Sequence, residues 1–253
     1  MKYQVTFETK CWEKDYKLMS ETDHLSRMIK NCNFEFNRKN LFINNVDDEN
    51  VVLSKTDRLK KDSVIDNVFI VNDFVDDALK EFEISKDSLG KGYYYSVAEL
   101  VSIYLCETKY LLHFSSDSYL PNKYKDSNWI KESIDIMEKN PDIIVANPTW
   151  NYKFNEAKSE SIEKYNDDYY ISQGFSDQCY LINVEEFKNK IYNYKHPKSE
   201  RYPKYGGGLF EKRVDAFMRC NKKYRLVSNK VSYVSKNITA IQIFLERIGL
   251  KKI

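Results

Sequence analysis

Glycine is scarce in this chain of 253 residues: there are seven, Gly90, Gly92, Gly174, Gly206, Gly207, Gly208 and Gly249, and none precedes position 90. No G-x-G-x-x-G or G-x-x-x-x-G-K loop can therefore follow a first strand, which removes the backbone cradles of dinucleotide-binding and P-loop proteins. Histidine is rarer still. With His24, His113 and His196 alone, and no G-x-S-x-G elbow, an α/β-hydrolase triad is not available. His113 sits inside an apolar run and reads as a core histidine. The five cysteines, Cys11, Cys32, Cys106, Cys179 and Cys220, are odd in number, widely spaced and without a C-x-x-C pair, so neither a disulfide framework nor a zinc site is indicated. No apolar run approaches the ~20 residues needed to span a bilayer, and Met1 to Lys10 holds no signal-peptide core. These absences fit a reducing, cytoplasmic setting. Lys+Arg of 40 against Asp+Glu of 38 leaves +2, which supplies no general drive towards nucleic acid.

What is present is an alternation of short apolar runs with helical patterns, the signature of a mainly parallel sheet with helices on both faces. Strands are expected at Tyr3 to Phe7, Leu41 to Val46, Val68 to Val71, Tyr110 to Phe114, Ile143 to Ala146 and Phe175 to Ile182, then at Tyr224 to Ser228 and Val231 to Val234. Helical stripes run through Leu18, Leu25, Met28 and Ile29, from Phe74 to Phe82, from Trp129 to Met137 and from Phe210 to Phe217. Ser96 with Glu99 has the spacing of a capping box. Asn147 to Ser172 lacks periodicity and is expected to be a long mobile connection. A last helix carries Ile238, Ile241, Phe244, Leu245 and Ile248 on one side, and with Arg247, Lys251 and Lys252 it is a candidate for peripheral membrane contact or for docking on its own domain. The length suits one α/β domain over 1–253.

The most informative stretch is Leu111 to Leu120, in which an apolar strand runs into Ser115-Ser116-Asp117. Parallel sheets bind ligands beyond the carboxyl ends of their strands, and a carboxylate there can take a hard cation that also grips a diphosphate. A plain turn is the competing explanation, since Ser and Asp are common turn formers. The segment resembles the strand-plus-acidic motif of glycosyltransferases with the glycosyltransferase A fold, whose usual form ends in Asp-x-Asp. Ser115 stands at the first acidic position here.

From Lys2 to Ser235 the order of elements is similar to that family's. The resemblance implies an enzyme that moves a sugar from a nucleotide diphosphate donor to a hydroxyl of a glycan or related acceptor, with Mn²⁺ or Mg²⁺ on Asp117. It also implies a donor half over 1–120, where Thr9, Lys10, Asn45, Asp47, Asp48, Ser115 and Ser116 are the candidate contacts, and an acceptor half over 121–253. In that half Gly206-Gly207-Gly208-Leu209-Phe210-Glu211 looks like the glycine turn and acidic residue opening an acceptor-side helix, so Glu211 is the first candidate for general base. Asp215 lies one turn later, and Glu211-Lys212 replaces the family's usual Glu-Asp pair. Asp177, beside Gln178, is the second base candidate; the pairing resembles that of some retaining members, while the single base favours inversion.

Members often add a late histidine ligand, and none follows His196 here; either Ser235 or water completes the shell, or the enzyme works with weakly bound metal. Trp150, Tyr152, Tyr169 and Tyr170 are candidates to stack on an acceptor sugar. Two other classes remain: a sugar nucleotidyltransferase, although Thr9 to Asp15 lacks the glycine-rich basic loop that would imply, and a non-catalytic carbohydrate-binding protein, which the missing acidic position would suit.

Overall fold

Residues 3–201, 207–236 and 239–250 are described by a computed structural model of the chain. Lys2, Gly206, Ile238, Lys251 and Lys252 lie outside the described residues.

The strands are β1 (Val5–Cys11), β2 (Arg38–Ile43), β3 (Asn67–Ile70), β4 (Tyr110–Phe114), β5 (Ser118–Tyr119), β6 (Ile143–Trp150), β7 (Ser161–Lys164), β8 (Tyr169–Ser172), β9 (Cys179–Asn183) and β10 (Tyr224–Ser235). The helices are α1 (Tyr16–Glu21), α2 (His24–Lys30), α3 (Glu49–Lys61), α4 (Val75–Glu81), α5 (Lys86–Leu89), α6 (Tyr93–Leu105), α7 (Trp129–Lys139), α8 (Phe154–Ser159), α9 (Val184–Lys188), α10 (Phe210–Cys220) and α11 (Ala240–Arg247).

The strands join in one ten-stranded sheet ordered β3-β2-β1-β4-β9-β6-β10-β8-β7, with β5 paired to β10. β1, β2, β3, β4, β6, β7 and β10 run one way, and β5, β8 and β9 the other, so the sheet is mainly parallel as expected. β4 is buried along its whole length because both faces are covered, which is why its sequence is apolar apart from His113. Tyr110, Leu112 and Phe114 enter a core with Phe7, Trp129 and Ile134. Leu111 points to the other face, into a core with Val101, Tyr180 and Phe210.

Several expectations require correction. The first helical stripe is two helices, α1 and α2, split where the Thr22 hydroxyl turns back to the Leu18 carbonyl. Helix α3 was not expected; the Asp48 side chain caps it by accepting from the Val51 N–H at 3.1 Å. Ser96 and Glu99 do not form a capping box, because α6 begins at Tyr93 and both are interior and buried; Ser96 Oγ accepts instead from the distant Phe210 N–H at 3.0 Å. The stretch 147–172 is no mobile connection: it carries the end of β6, then α8, β7 and β8. Its polar character belongs to the edge strand β7, exposed over most of its length. The two late strands are one, β10, whose irregularity between Ser228 and Ser232 is tied down by Ser228 Oγ accepting from Lys230 and Val231 N–H. In α11 it is Ile243 that packs inward, while Ile241, Phe244 and Ile248 of the expected docking stripe are exposed. Among the described residues no helix is long and apolar enough to cross a membrane.

Candidate active site

The carboxyl ends of β1, β2 and β4 and the amino end of antiparallel β9 meet at one rim of the sheet, where open parallel sheets collect ligands. A cavity of about 630 Å³ lies there, walled by Lys10 and Trp12 from the end of β1, Asn45 beyond β2, Ser115 to Asp117 after β4, and Asp177 and Gln178 ahead of β9. Lys91, Tyr94 and Tyr95 close its far side. A second cavity of about 610 Å³ shares Gln178 with the first and is lined by Trp150, Ser176, Glu211, Arg225, Tyr233 and Ser235.

Most of the candidates from sequence converge on this rim. Lys10, Asn45, Ser115, Ser116, Asp117 and Asp177 line the first cavity and Glu211 the second. Asn45 adopts φ of 53°, the left-handed turn conformation that asparagine tolerates. Three candidates do not line it. Thr9 is fully buried in β1, Asp48 is spent on the α3 cap, and Asp47 lies beyond the cavity wall with its N–H bonded to the Glu13 carboxylate at 2.9 Å. Asp215 is sealed in the core between Ser199 Oγ at 2.5 Å and Arg219 Nε at 2.9 Å, so it is no alternative to Glu211. Tyr169 and Tyr170 are buried, and only Trp150 of the four candidate aromatics lines the second cavity. Gly207 and Gly208 serve close packing of the chain on itself: a Cβ on Gly207 would lie 2.5 Å from the Leu89 carbonyl oxygen and one on Gly208 2.4 Å from that of Ser88.

The turn after β4 is fixed from several sides. Ser115 N–H donates to the Gln178 carbonyl at 2.9 Å, and Ser115 Oγ to the Asp177 carbonyl at 3.2 Å. Ser116 Oγ donates to the Asp15 carboxylate while His24 Nε2 donates to the Ser116 carbonyl at 2.9 Å. Burial pushes Asp15 up to about 6, against the hydrogen bonds from Ser116 and Trp12, and pushes His24 down to about 4. Asp117 is also raised, by burial and by the charge of Asp177. Glu211 Oε1 accepts the Asp177 N–H at 2.8 Å, and burial together with the Asp177 charge holds its carboxyl well above the usual range. Asp15, Asp117 and Asp177 thus meet at the rim, with Lys10, Lys14 and Lys91 lining the same cavity. Asp15, Trp12, Tyr94 and Tyr95 were not among the candidates; exposed tyrosines directly after Gly90-Lys91-Gly92 were the available signal.

Among the described residues no three His, Cys, Asp or Glu side chains converge into a metal cage. Asp117 offers a carboxylate oxygen of the kind a hard cation takes, and such a cation commonly keeps water or a bound anion as its other ligands. Ser235 lines the second cavity and its hydroxyl donates to Gln178 Oε1 at 2.8 Å.

No protein-family profile and no curated protein matches the sequence. Solved structures do match. A mycobacterial protein aligns with a TM-score of 0.50 at 10% identity over 99% of this chain and 76% of its own. S. aureus TarS 1-349 in complex with UDP aligns with a TM-score of 0.50 at 10% identity over 98% of this chain and 64% of its own. Glucosyl-3-phosphoglycerate synthase from Mycobacterium tuberculosis, in complex with Mn²⁺, UDP and phosphoglyceric acid, aligns at 0.47 and 12% identity over 99% and 80%. The chain has a glycosyltransferase A fold. Within this glycosyltransferase A fold the first cavity occupies the β2-β1-β4 side of the rim and the second the β6-β10 side, with the segment ahead of β9 between them.

Proposed function

We propose that the protein transfers a sugar from a nucleotide diphosphate donor in the first cavity to a hydroxyl of a glycan or related acceptor in the second. The observation that carries this reading is the contact of the two cavities across Asp177 and Gln178, with Asp117 on one side and Glu211 on the other. Trp12, Tyr94 and Tyr95 offer aromatic faces for a nucleobase, and Trp150 one for an acceptor ring. Asp117 would hold Mn²⁺ or Mg²⁺ together with the donor phosphates; when bound, that ion offsets charge on the departing diphosphate.

Glu211 takes the proton of the attacking hydroxyl. Its raised pKa makes it a stronger base once ionised, and the Asp177 N–H fixes the orientation of its carboxylate. A single base on the acceptor side corresponds to inversion at the anomeric carbon. In this reading residues 1–253 act as one domain, with a donor half, 1–120, and an acceptor half, 121–253; Asp177 and Gln178 from the second complete the cavity of the first. All five cysteines are free, which agrees with a cytoplasmic setting.

Calorimetric titration of nucleoside diphosphates with and without Mn²⁺, followed by transfer assays from the donor so identified, tests the proposal. Asp117→Ala is expected to cut turnover by ~10²-fold or more. Glycan binding indifferent to nucleotide and metal would instead favour a carbohydrate-binding protein, and synthesis of a sugar nucleotide a nucleotidyltransferase.

A further inference from the structure

A layer of buried polar groups underlies the rim. Lys10 of β1 is ion-paired with Glu99 of α6. Beside this pair, Glu8 accepts from His113 Nδ1 at 2.6 Å and from Ser102 Oγ at 3.2 Å, and Tyr180 stacks on His113 with ring centroids 4.6 Å apart. Glu8, Glu99 and His113 are each at most 1% exposed. Glu99 Oε2 and His113 Nε2 have no hydrogen-bond partner among the described residues.

Apolar residues of similar volume commonly serve stability as well as a buried ion pair does. Stability therefore gives no reason for Lys10 and Glu99 to be there, but their placement does. The Glu99 side chain is 0% exposed, whereas that of Lys10 is 21% exposed and reaches the first cavity, where Asp117 and Asp177 are charges acting on it. Lys14 and Lys91 also line this cavity, on exposed stems at its mouth.

We propose that Lys10 is a resident cation for the donor's phosphates, aimed into the first cavity by Glu99, so that β1 supplies positive charge at a rim where Ser115 leaves one carboxylate too few for a strong metal site. This rests on the reading of the first cavity as the donor site. An ammonium carries three donors, so Lys10 can keep one on Glu99 and turn others to phosphate oxygens. Burial opposes its charge, but Glu99, Asp177 and Glu8 outweigh it and hold its pKa above the ordinary lysine range, so the group stays cationic.

The test is titration of inorganic pyrophosphate into the full chain in EDTA, which needs neither metal nor knowledge of the base and sugar. Lys10→Met alone strands a buried Glu99 and is expected to destabilise the fold. The informative variant is therefore Lys10→Met/Glu99→Gln, which removes both charges together, with its melting curve recorded as a check on folding. It is expected to bind pyrophosphate at least ~10-fold more weakly than wild type, the loss of a charge-assisted hydrogen bond, while Lys10→Arg stays within ~5-fold. Wild-type affinity in the double variant, or no metal-free pyrophosphate binding by wild type at millimolar concentration, overturns the proposal. Lys10-dependent pyrophosphate binding without sugar transfer from any donor would sink the proposed function and, with it, the donor's part in this inference, leaving Lys10 a phosphate-binding cation.

Discussion

Ser116 joins two buried titratable groups, because its hydroxyl donates to Asp15 and its carbonyl accepts from His24. Burial opposes charge on both, raising Asp15 to about 6 and lowering His24 to about 4, so the two act on stability with opposite sign. Between about pH 3.9 and 6 the folded protein holds a proton on Asp15 that the unfolded chain has released; stability falls as pH rises through that window, and the loss persists above it. At His24 the unfolded chain takes up the proton first, from about pH 6.5 downward, so stability is lost as pH falls from there to about 4. With about 1.36 kcal/mol per unit, each shift of roughly two units is worth about 3 kcal/mol.

Asp15→Asn isolates the first effect. Asparagine keeps an oxygen for the Trp12 N–H, now bonded at 2.8 Å, and offers Ser116 Oγ an amide in place of the carboxylate. Urea denaturation of variant and wild type from pH 4 to 8 gives a difference in unfolding free energy in which the other carboxylates cancel. That difference, variant minus wild type, should climb by about 2 kcal/mol between pH 4 and 7. His24→Gln, measured alongside, should gain on wild type as pH falls over the same range. A flat Asp15→Asn difference would refute the claim that this carboxyl is folded in against its charge.

Glu211→Gln is expected to abolish transfer while leaving donor affinity within about 2-fold, since the residue faces the second cavity; an equal loss of nucleotide binding measured by calorimetry would assign it to the donor instead. Because burial and the Asp177 charge raise the Glu211 pKa, the turnover of wild type should still be increasing with pH above the ordinary carboxylate range as that carboxyl ionises, and a rate profile already level at the top of that range would contradict the assignment. Asp48→Ala removes the α3 cap and should cost about 1 kcal/mol in urea unfolding with nucleotide binding unchanged, because its side chain serves the helix and not the cavity. Gly207→Ala combines φ of +65° with a Cβ 2.5 Å from the Leu89 carbonyl oxygen and should cost about 2 kcal/mol or more, read as a fall in melting temperature.

The mainly parallel sheet could be read from the chain because short apolar runs alternate with helical patterns, and because β4, apolar but for His113 and covered on both faces, ends in Ser115-Ser116-Asp117 at the rim. Lys10, Asn45, Asp117, Asp177 and Glu211, named from the resemblance and from their places beside apolar runs, all line the two cavities, because element ends are where a sheet presents polar groups. Helix α3 was hidden by its charge, since only Val52, Thr56 and Leu59 are buried and no broad apolar stripe marks it.

Other roles depended on partners far away in sequence. Ser96 and Glu99 have capping-box spacing, yet Phe210 lies 114 positions from Ser96 and Lys10 lies 89 from Glu99, and those partners decide what the two side chains do. Asp215 and Glu211 stand on the same helix, and only the packing of Ser199 and Arg219 against one and the cavity beside the other separates them. Local pattern determined which segments form strands and helices and where their polar ends fall, because periodicity is a property of neighbours along the chain, whereas the pairing of β9 between β4 and β6 was a tertiary outcome. Burial, and with it the charge state of Asp15, His24, Glu99 and Glu211, was decided by the tertiary structure, because desolvation depends on what the rest of the chain brings to each side chain.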